Sequence, residues 1–191
     1  MSVLNRQCVE SIGFASLGEN VVISDRASFY NCGKISIGNN VRIDDFSVIS
    51  AGVGGISIGN NVHIAVFSSL IGAGKITLSD FSNISSRVSI YSSSDDYSGE
   101  WMTNPTVPSE FTGVIHADVF IGRHAIIGAG SVVLPGVIVE EGVAIGALSL
   151  VKKHCKAFSI YTGIPAKMIS SRKRDFLDLE KRFLSKSVQQ R

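Results

Sequence analysis

Stepping through this sequence in sixes lands on an aliphatic or aromatic side chain every time. The positions are Leu17, Ile23 and Phe29; Ile37, Ile43 and Ile49; Ile58, Ile64 and Leu70; Leu78, Ile84 and Ile90. After a gap come Ile121, Ile127, Val133, Val139, Ile145 and Val151. A period of six excludes an amphipathic helix, whose apolar residues recur at three and four, and one long half-buried strand, which alternates by two. It fits a short strand, a turn and another short strand, with three strands closing a triangular coil. The residue four further on is small or Val in most hexads, as at Val41, Ser47, Val62, Ser68, Ala125, Ser131, Val137, Val143 and Ser149. Glycine often follows the aliphatic, as in Ile37-Gly38, Ile58-Gly59 and Ile145-Gly146. Restarts at Leu17, Ile37, Ile58 and Leu78 lie 20 or 21 residues apart, so these coils carry extra turn residues such as the "GVGG" of 52–55. Coils stack by parallel backbone hydrogen bonds about 4.8 Å apart. One coil cannot bury its apolar face, but a stack can. The expected fold is all-β, a single-stranded parallel β-helix.

The remaining composition narrows the setting. Net charge is +2 over 191 residues with the signs interspersed, which gives no pull towards nucleic acid or lipid headgroups. Cys8, Cys32 and Cys155 are widely spaced and form no metal-binding pattern with the histidines. The segment MSVLNRQCVES has no apolar core of a signal peptide. The apolar stretch 125–151 is broken by Gly128, Gly130, Pro135, Glu140, Glu141 and Gly142, which rules out a membrane helix there. The expectation is a cytoplasmic protein without membrane insertion. Residues 1–169 are expected to form the β-helix domain and 170–191 a C-terminal helix, capped by Ser170 or Ser171. Phe176, Leu177, Leu179, Phe183 and Leu184 give that helix an apolar stripe, for packing on the body or on a neighbouring subunit, or alternatively for a membrane surface.

Residues 91–118 ignore the count. This excursion holds the pair Asp95-Asp96, the only tryptophan and two of the four prolines. Tyr91, Tyr97 and Trp101 offer flat faces for a sugar ring, and Glu100 and Asn104 offer hydrogen bonds to hydroxyls. Alternatively, Trp101 and its neighbours pack the loop onto an adjacent prism. Pro105 and Pro108 stiffen the loop and lower its ordering cost.

The hexad count together with "IGAGSVVLPGV", "IGALSLV" and "GIPAKMI" resembles the left-handed β-helix acyltransferases. The likeness is greatest to the galactoside and maltose O-acetyltransferase branch, which includes many acetyltransferases of bacterial surface polysaccharides. That resemblance implies a left-handed coil, acetyl-CoA as co-substrate, no metal, and a homotrimer with each active site in a cleft between two prisms. It places Ala129 and Ala147 at the thioester end of the coenzyme, matches Lys152 and Lys153 to the family's cofactor-binding lysine position, and sets Lys153 and Lys167 beside the phosphates. It implies a sugar or nucleotide-sugar acceptor. In this branch a loop histidine five residues after the last aliphatic is the general base. Here that position is Asp95, and no histidine lies between Ile64 and Ile115. Galactoside-binding polar residues of the branch align with Ala65 and Ala73, which leaves the acceptor open.

Two catalytic readings follow. A carboxylate of ordinary acidity, near 3.9, is a weak base for an alcohol unless burial or a second carboxylate such as Asp96 raises its proton affinity. An amine acceptor suits it better, because an ammonium is drawn to a carboxylate. Both O- and N-transfer therefore stay open. In the other reading His63 is the base, with Asn83 at the corresponding place one coil on contributing to the acceptor site. The alternatives to a surface-sugar acetyltransferase are an antibiotic acetyltransferase of the streptogramin or chloramphenicol type and a non-catalytic β-helix scaffold. A γ-type carbonic anhydrase requires three histidines around zinc with a spacing this chain does not contain.

Overall fold

The computed structural model describes residues 2–189; Met1, Gln190 and Arg191 of the expected segments lie outside the described residues. The chain winds into a three-sided parallel β-helix, and each coil contributes one strand to each face. The first face stacks Ser16–Leu17, Ile35–Ile37, Ile56–Ile58, Ile76–Leu78, Val119–Ile121 and Ile138–Val139. The second stacks Val22–Ile23, Arg42–Ile43, His63–Ile64, Asn83–Ile84, Ile126–Ile127 and Ala144–Ile145, then Ser159–Thr162 and Lys167–Ser171. The third stacks Ser28–Tyr30, Val48–Ala51, Ser69–Gly72, Ser89–Tyr91, Val132–Val133 and Leu150–Val151. Neighbours on each face pair in parallel, except the closing hairpin of Ser159–Thr162 with Lys167–Ser171.

The hexad aliphatics point inward and stack in register, as in Ile43, Ile64, Ile84, Ile127 and Ile145. From Ile37 to Val151 every one of them is buried. Leu17 and Phe29 belong to the first coil, which has a neighbour on one side only, and they are partly buried. Their open end is closed by α1 (Arg6–Ser11), whose Val9 is buried and whose Asn5 side chain accepts the Cys8 N–H at 2.9 Å. Phe14 adds an edge-to-face contact on Phe29 at 5.1 Å.

The corner from the first face to the second needs a left-handed residue in each coil. Asn20, Asn40 and Asn61 hold φ of 54, 55 and 55°, a conformation that asparagine tolerates better than most residues. Beside them a side-chain ladder satisfies the turn amides. Asn39 Oδ1 accepts from Glu19 N–H, Asn60 Oδ1 from Asn39 N–H, and Asp80 Oδ1 from Asn60 N–H, at 2.7, 2.8 and 2.7 Å. Gly38 shows why glycine follows the hexad aliphatic: a Cβ there would stand 2.7 Å from the carbonyl oxygen of Gly59.

Further along the same corner lies α2 (Phe176–Gln189). Glu180 pairs with Arg123 and, at 2.7 Å, with His124. Phe176 and Phe183 pack on His124 and Phe81 with ring centroids 4.8 and 6.1 Å apart. Arg172 donates to the carbonyls of His124, Gly142 and Val143. Phe176 and Phe183 of the apolar stripe thus contact the body, while Leu179 and Leu184 stay exposed at 60 and 43%. Neither Ser170 nor Ser171 caps this helix: the pairing to Ser159 and Ile160 draws them into the hairpin strand, and α2 starts at Phe176. Among the described residues no helix is long and apolar enough to cross a membrane.

The excursion leaves the third face after Tyr91 and returns at Val119. Its base is closed by a short antiparallel ladder, Ser93–Ser94 against Ile115–His116, with Ser93 Oγ 2.8 Å from His116 Nδ1. Beneath it the stack continues without a gap, with Ile76 opposite Val119 and Leu78 opposite Ile121.

Candidate active site

The loop is held in shape by its own polar groups. The Asp96 carboxylate accepts from Ser98 Oγ (2.8 Å) and the Ser98, Gly99 and Trp101 N–H groups (3.1, 2.9 and 3.3 Å). These bonds, the Ser98 hydroxyl foremost, pull its pKa down to about 2. Asn104 Oδ1 accepts from Thr106 N–H and Oγ1 at 2.8 and 2.6 Å. The indole of Trp101 lies against Gly113, where a Cβ would stand 2.5 Å from the ring. Trp101 thus packs inside its own loop.

Between this loop and the third face is a cleft of about 830 Å³. Ile71, Tyr91, Val132 and Leu134 form the wall on the coil side, and Tyr97, Asn104, Pro105 and Val107 the wall on the loop side. Asp95 stands on its lining. The Asp95 carboxylate makes no hydrogen bond or ion pair among the described residues, in contrast to its neighbour Asp96. The cleft therefore offers one uncommitted anionic group beside aromatic rings, an amide and prolines, an arrangement suited to a cationic or hydroxylated ring.

The sequence-derived candidates divide into groups. Tyr91, Asp95 and Tyr97 meet in the cleft. Asp96 and Trp101 shape the loop, and the low pKa of Asp96 makes it a poor proton acceptor. His63 and Asn83 are register partners on the second face, so one chain does not bring them to the cleft on the third. His63 Nε2 lies 2.8 Å from Asp44 Oδ2, and the nearly buried Asp44 also accepts from Arg42 Nε at 2.7 Å. Burial pushes the Asp44 carboxyl up, but hydrogen bonds from Arg42 and His63 outweigh it and hold the pKa below its ordinary value. Asp44 orients His63, a role that no motif in the sequence signals. The other histidines serve the scaffold: His116 bonds Ser93, His124 bonds Glu180 and His154 bonds Glu140.

Ala129 and Ala147 occupy successive corners from the second face to the third, joined by the Leu148 N–H to Ala129 carbonyl bond at 2.8 Å. Lys152, Lys153 and Lys167 are exposed towards the C-terminal end of the stack. Ala65 and Ala73 present no polar side chain to an acceptor. No group of three or more His, Cys, Asp and Glu side chains suited to a metal ion occurs among the described residues. Cys155 is buried, which raises its thiol pKa to about 11.

Residues 118–153 match the family model of bacterial transferase hexapeptide repeats, six repeats. The chain is 60% identical over 188 residues to dTDP-4-amino-4,6-dideoxy-D-glucose acyltransferase of Escherichia coli, covering 98% of each. It is similar to solved structures of AntD, an N-acyltransferase from Bacillus cereus, with 44% identity, TM-score 0.93 and coverage of 97% and 98%. Those structures hold dTDP-4-amino-4,6-dideoxyglucose with coenzyme A, or dTDP with 3-hydroxybutyryl-CoA. The amino-sugar complexes carry a serine substitution, and further structures carry substitutions of that serine or of an aspartate. A maltose O-acetyltransferase from Clostridium difficile shares the fold, with 20% identity, TM-score 0.55 and coverage of 88% and 75%.

Proposed function

The chain belongs to the bacterial hexapeptide-repeat acyltransferases, and on that premise we propose that it transfers acetyl from acetyl-CoA to the amino group of a dTDP-linked 4-amino-4,6-dideoxyhexose. The observation that carries this reading is the free carboxylate of Asp95 on the lining of the cleft. An ammonium is attracted to such a group, whereas a sugar hydroxyl needs a base stronger than an ordinary carboxylate. The relatives from E. coli and B. cereus act on or hold the corresponding 4-amino sugar, and an aspartate is among the positions substituted in AntD. The 4-amino sugars of these relatives support the amine over the hydroxyl.

In the proposed reaction Asp95 holds the acceptor amine and takes or relays the proton that its ammonium form gives up. The nitrogen lone pair attacks the thioester carbonyl carbon, giving a tetrahedral intermediate whose oxyanion is stabilised by main-chain N–H groups beside the cleft. The C–S bond breaks, the amide forms, and coenzyme A leaves as the thiol with the proton released from nitrogen. Tyr91 and Tyr97 pack the sugar. Asp96 and Trp101 keep the loop over it. Ala129 and Ala147 line the thioester end of the coenzyme, with Lys152, Lys153 and Lys167 near its phosphates.

The protein acts as a homotrimer in the cytoplasm, supplying an acylated sugar for surface polysaccharide. In the trimer a neighbouring copy sets its second face, with His63 and Asn83, against the cleft. The separation of those residues from Asp95 within one chain supports this arrangement.

The test is thiol release from acetyl-CoA with dTDP-4-amino-4,6-dideoxyglucose against the analogue bearing a hydroxyl at position 4. Turnover is expected with the amine. Asp95→Asn is expected to lower kcat at least about tenfold while acetyl-CoA affinity stays nearly constant. Release with the hydroxyl sugar alone overturns the amine reading, and an unchanged rate removes Asp95 from the chemistry.

A further inference from the structure

The net charge of +2 is a balance between two unlike parts of the chain. Residues 91–118 hold five of the 16 Asp and Glu residues and no Lys or Arg. Between Glu141 and Asp175 the reverse holds, with seven of the 18 Lys and Arg residues and no carboxylate side chain. The fold gathers the cationic part of that stretch into the last layer of the stack. Cys155 pairs with Val139 at the end of the first face, and Ser159–Thr162 with Ala144–Ile145 on the second. On the third, the Leu150 N–H donates to the Gly163 carbonyl. Among the described residues, the only strand beyond this layer on any face is its own hairpin strand, Lys167–Ser171. α2 then packs on earlier coils, reaching Phe81. The closing layer is therefore the open end of the prism.

That end is cationic and apolar at once. Lys152, Lys153, Lys156, Lys167, Lys173 and Arg174 are exposed. Ile164, Met168 and Ile169 stand among them, 76, 53 and 62% exposed. The coenzyme contacts proposed above engage Lys152, Lys153 and Lys167. Lys156, Lys173 and Arg174 lie outside them, and none of the three is in a salt bridge among the described residues. Glu140, whose carboxylate feels the charge of Lys156, is already bonded to His154 and the Ala157 N–H. An exposed sheet end needs charge to prevent edge-to-edge pairing, but either sign serves. Excluding every carboxylate points instead to an anionic surface. A protein partner suits this end poorly, because protein interfaces are depleted in lysine, and five of the seven cations are lysines. An anionic lipid surface accepts both components, apolar side chains at the headgroup boundary and cations among the phosphates.

We propose that the C-terminal end of the prism is a docking surface for an anionic membrane leaflet, with Lys156, Lys173 and Arg174 on the headgroups and Ile164, Met168 and Ile169 between them. The chain rests on the leaflet; among the described residues no helix is long and apolar enough to cross it. The contact goes beyond acyl transfer, and either can fail without the other.

The experiment is co-flotation of the full chain, without coenzyme, with vesicles of phosphatidylcholine alone and of phosphatidylcholine and phosphatidylglycerol in equal parts. At about 0.1 M salt the protein floats with the anionic vesicles only. At about 1 M, where the screening length is about 3 Å, it stays behind. One lysine at such a surface is worth roughly fivefold in affinity. Lys156→Gln combined with Lys173→Gln therefore lowers the apparent affinity about 25-fold, and adding Ile169→Ser lowers it further. A control, Lys34→Gln combined with Lys75→Gln, removes the same charge from earlier coils and binds like the wild type. Thiol release from acetyl-CoA and the melting temperature stay at wild-type values in the Lys156→Gln, Lys173→Gln variant, which separates a lost docking surface from a lost fold or active site. Absence of flotation, equal flotation with both vesicle types, or wild-type affinity in that variant overturns the proposal. Binding to polyglutamate without binding to the vesicles assigns this end to an acidic protein and overturns it as well.

Discussion

Replacing Gly113 by alanine tests whether the packing of Trp101 sets the shape of the cleft. The new Cβ would stand 2.5, 2.6 and 3.0 Å from Cδ1, Cγ and Nε1 of the indole. Ordinary contact is about 3.5 to 4.0 Å, so the ring must withdraw by about 1 Å. The Trp101 N–H is bonded to Asp96, and the Met102 N–H to the Phe111 carbonyl at 3.0 Å, so the displacement passes into the loop that carries Tyr97 and Asn104. A misplacement of about 1 Å at a reacting centre can lower the rate on the order of a hundredfold. Trp101 is half-exposed and can swing partly outward, so the expected loss in kcat/KM for the amino sugar is smaller, about tenfold. Trp101 is the only tryptophan, so its emission reports the loop directly. The coils pair beneath the loop without a gap, so the melting temperature should barely move. Unchanged activity with unchanged emission would refute the packing argument. A large fall in melting temperature would refute the independence of loop and stack.

Two further outcomes follow from the same geometry. The Asp96 carboxyl is held at about 2 against an ordinary 3.8, so its contribution to loop order is complete above about pH 4 and lost as the pH falls through 2. Trp101 emission should stay level from pH 7 to 4 and change only below that, while Asp96→Ala should change it at neutral pH. A transition in the wild type centred at pH 5 would contradict the hydrogen bonding described. In the core, Ile84 is fully buried and stacked between Ile64 and Ile127. Ile84→Ala should lower unfolding stability by about 3 kcal/mol in urea titration, and a loss under about 1 kcal/mol would show that the coil collapses around the vacancy.

The stack was legible because its determinant is local and repeated. Each hexad aliphatic faces the same interior, so spacing alone identifies Ile37 to Val151 as core. The ends were less legible. Residues 2–15 form a cap rather than a coil, and Asn5 three residues before Cys8 was the only local sign of α1. Ser170 and Ser171 look like helix caps in sequence, but pairing with a strand ten residues earlier decides their conformation. In the loop, composition pointed to Asp95 and Asp96 together. Only the fold separates them, because hydrogen bonds from Ser98, Gly99 and Trp101 occupy one carboxylate and leave the other open. His63 was visible as a residue, but the Asp44 that orients it sits 19 positions away, a distance set by coil length rather than by any motif.

The uninterrupted register of Ile76 with Val119 beneath the excursion has an evolutionary corollary. Lengthening, shortening or rewriting the intervening stretch leaves the stacking partners on either side adjacent. Under the proposed function, the segment over the cleft is thus free to change while the coils and turns downstream are inherited intact.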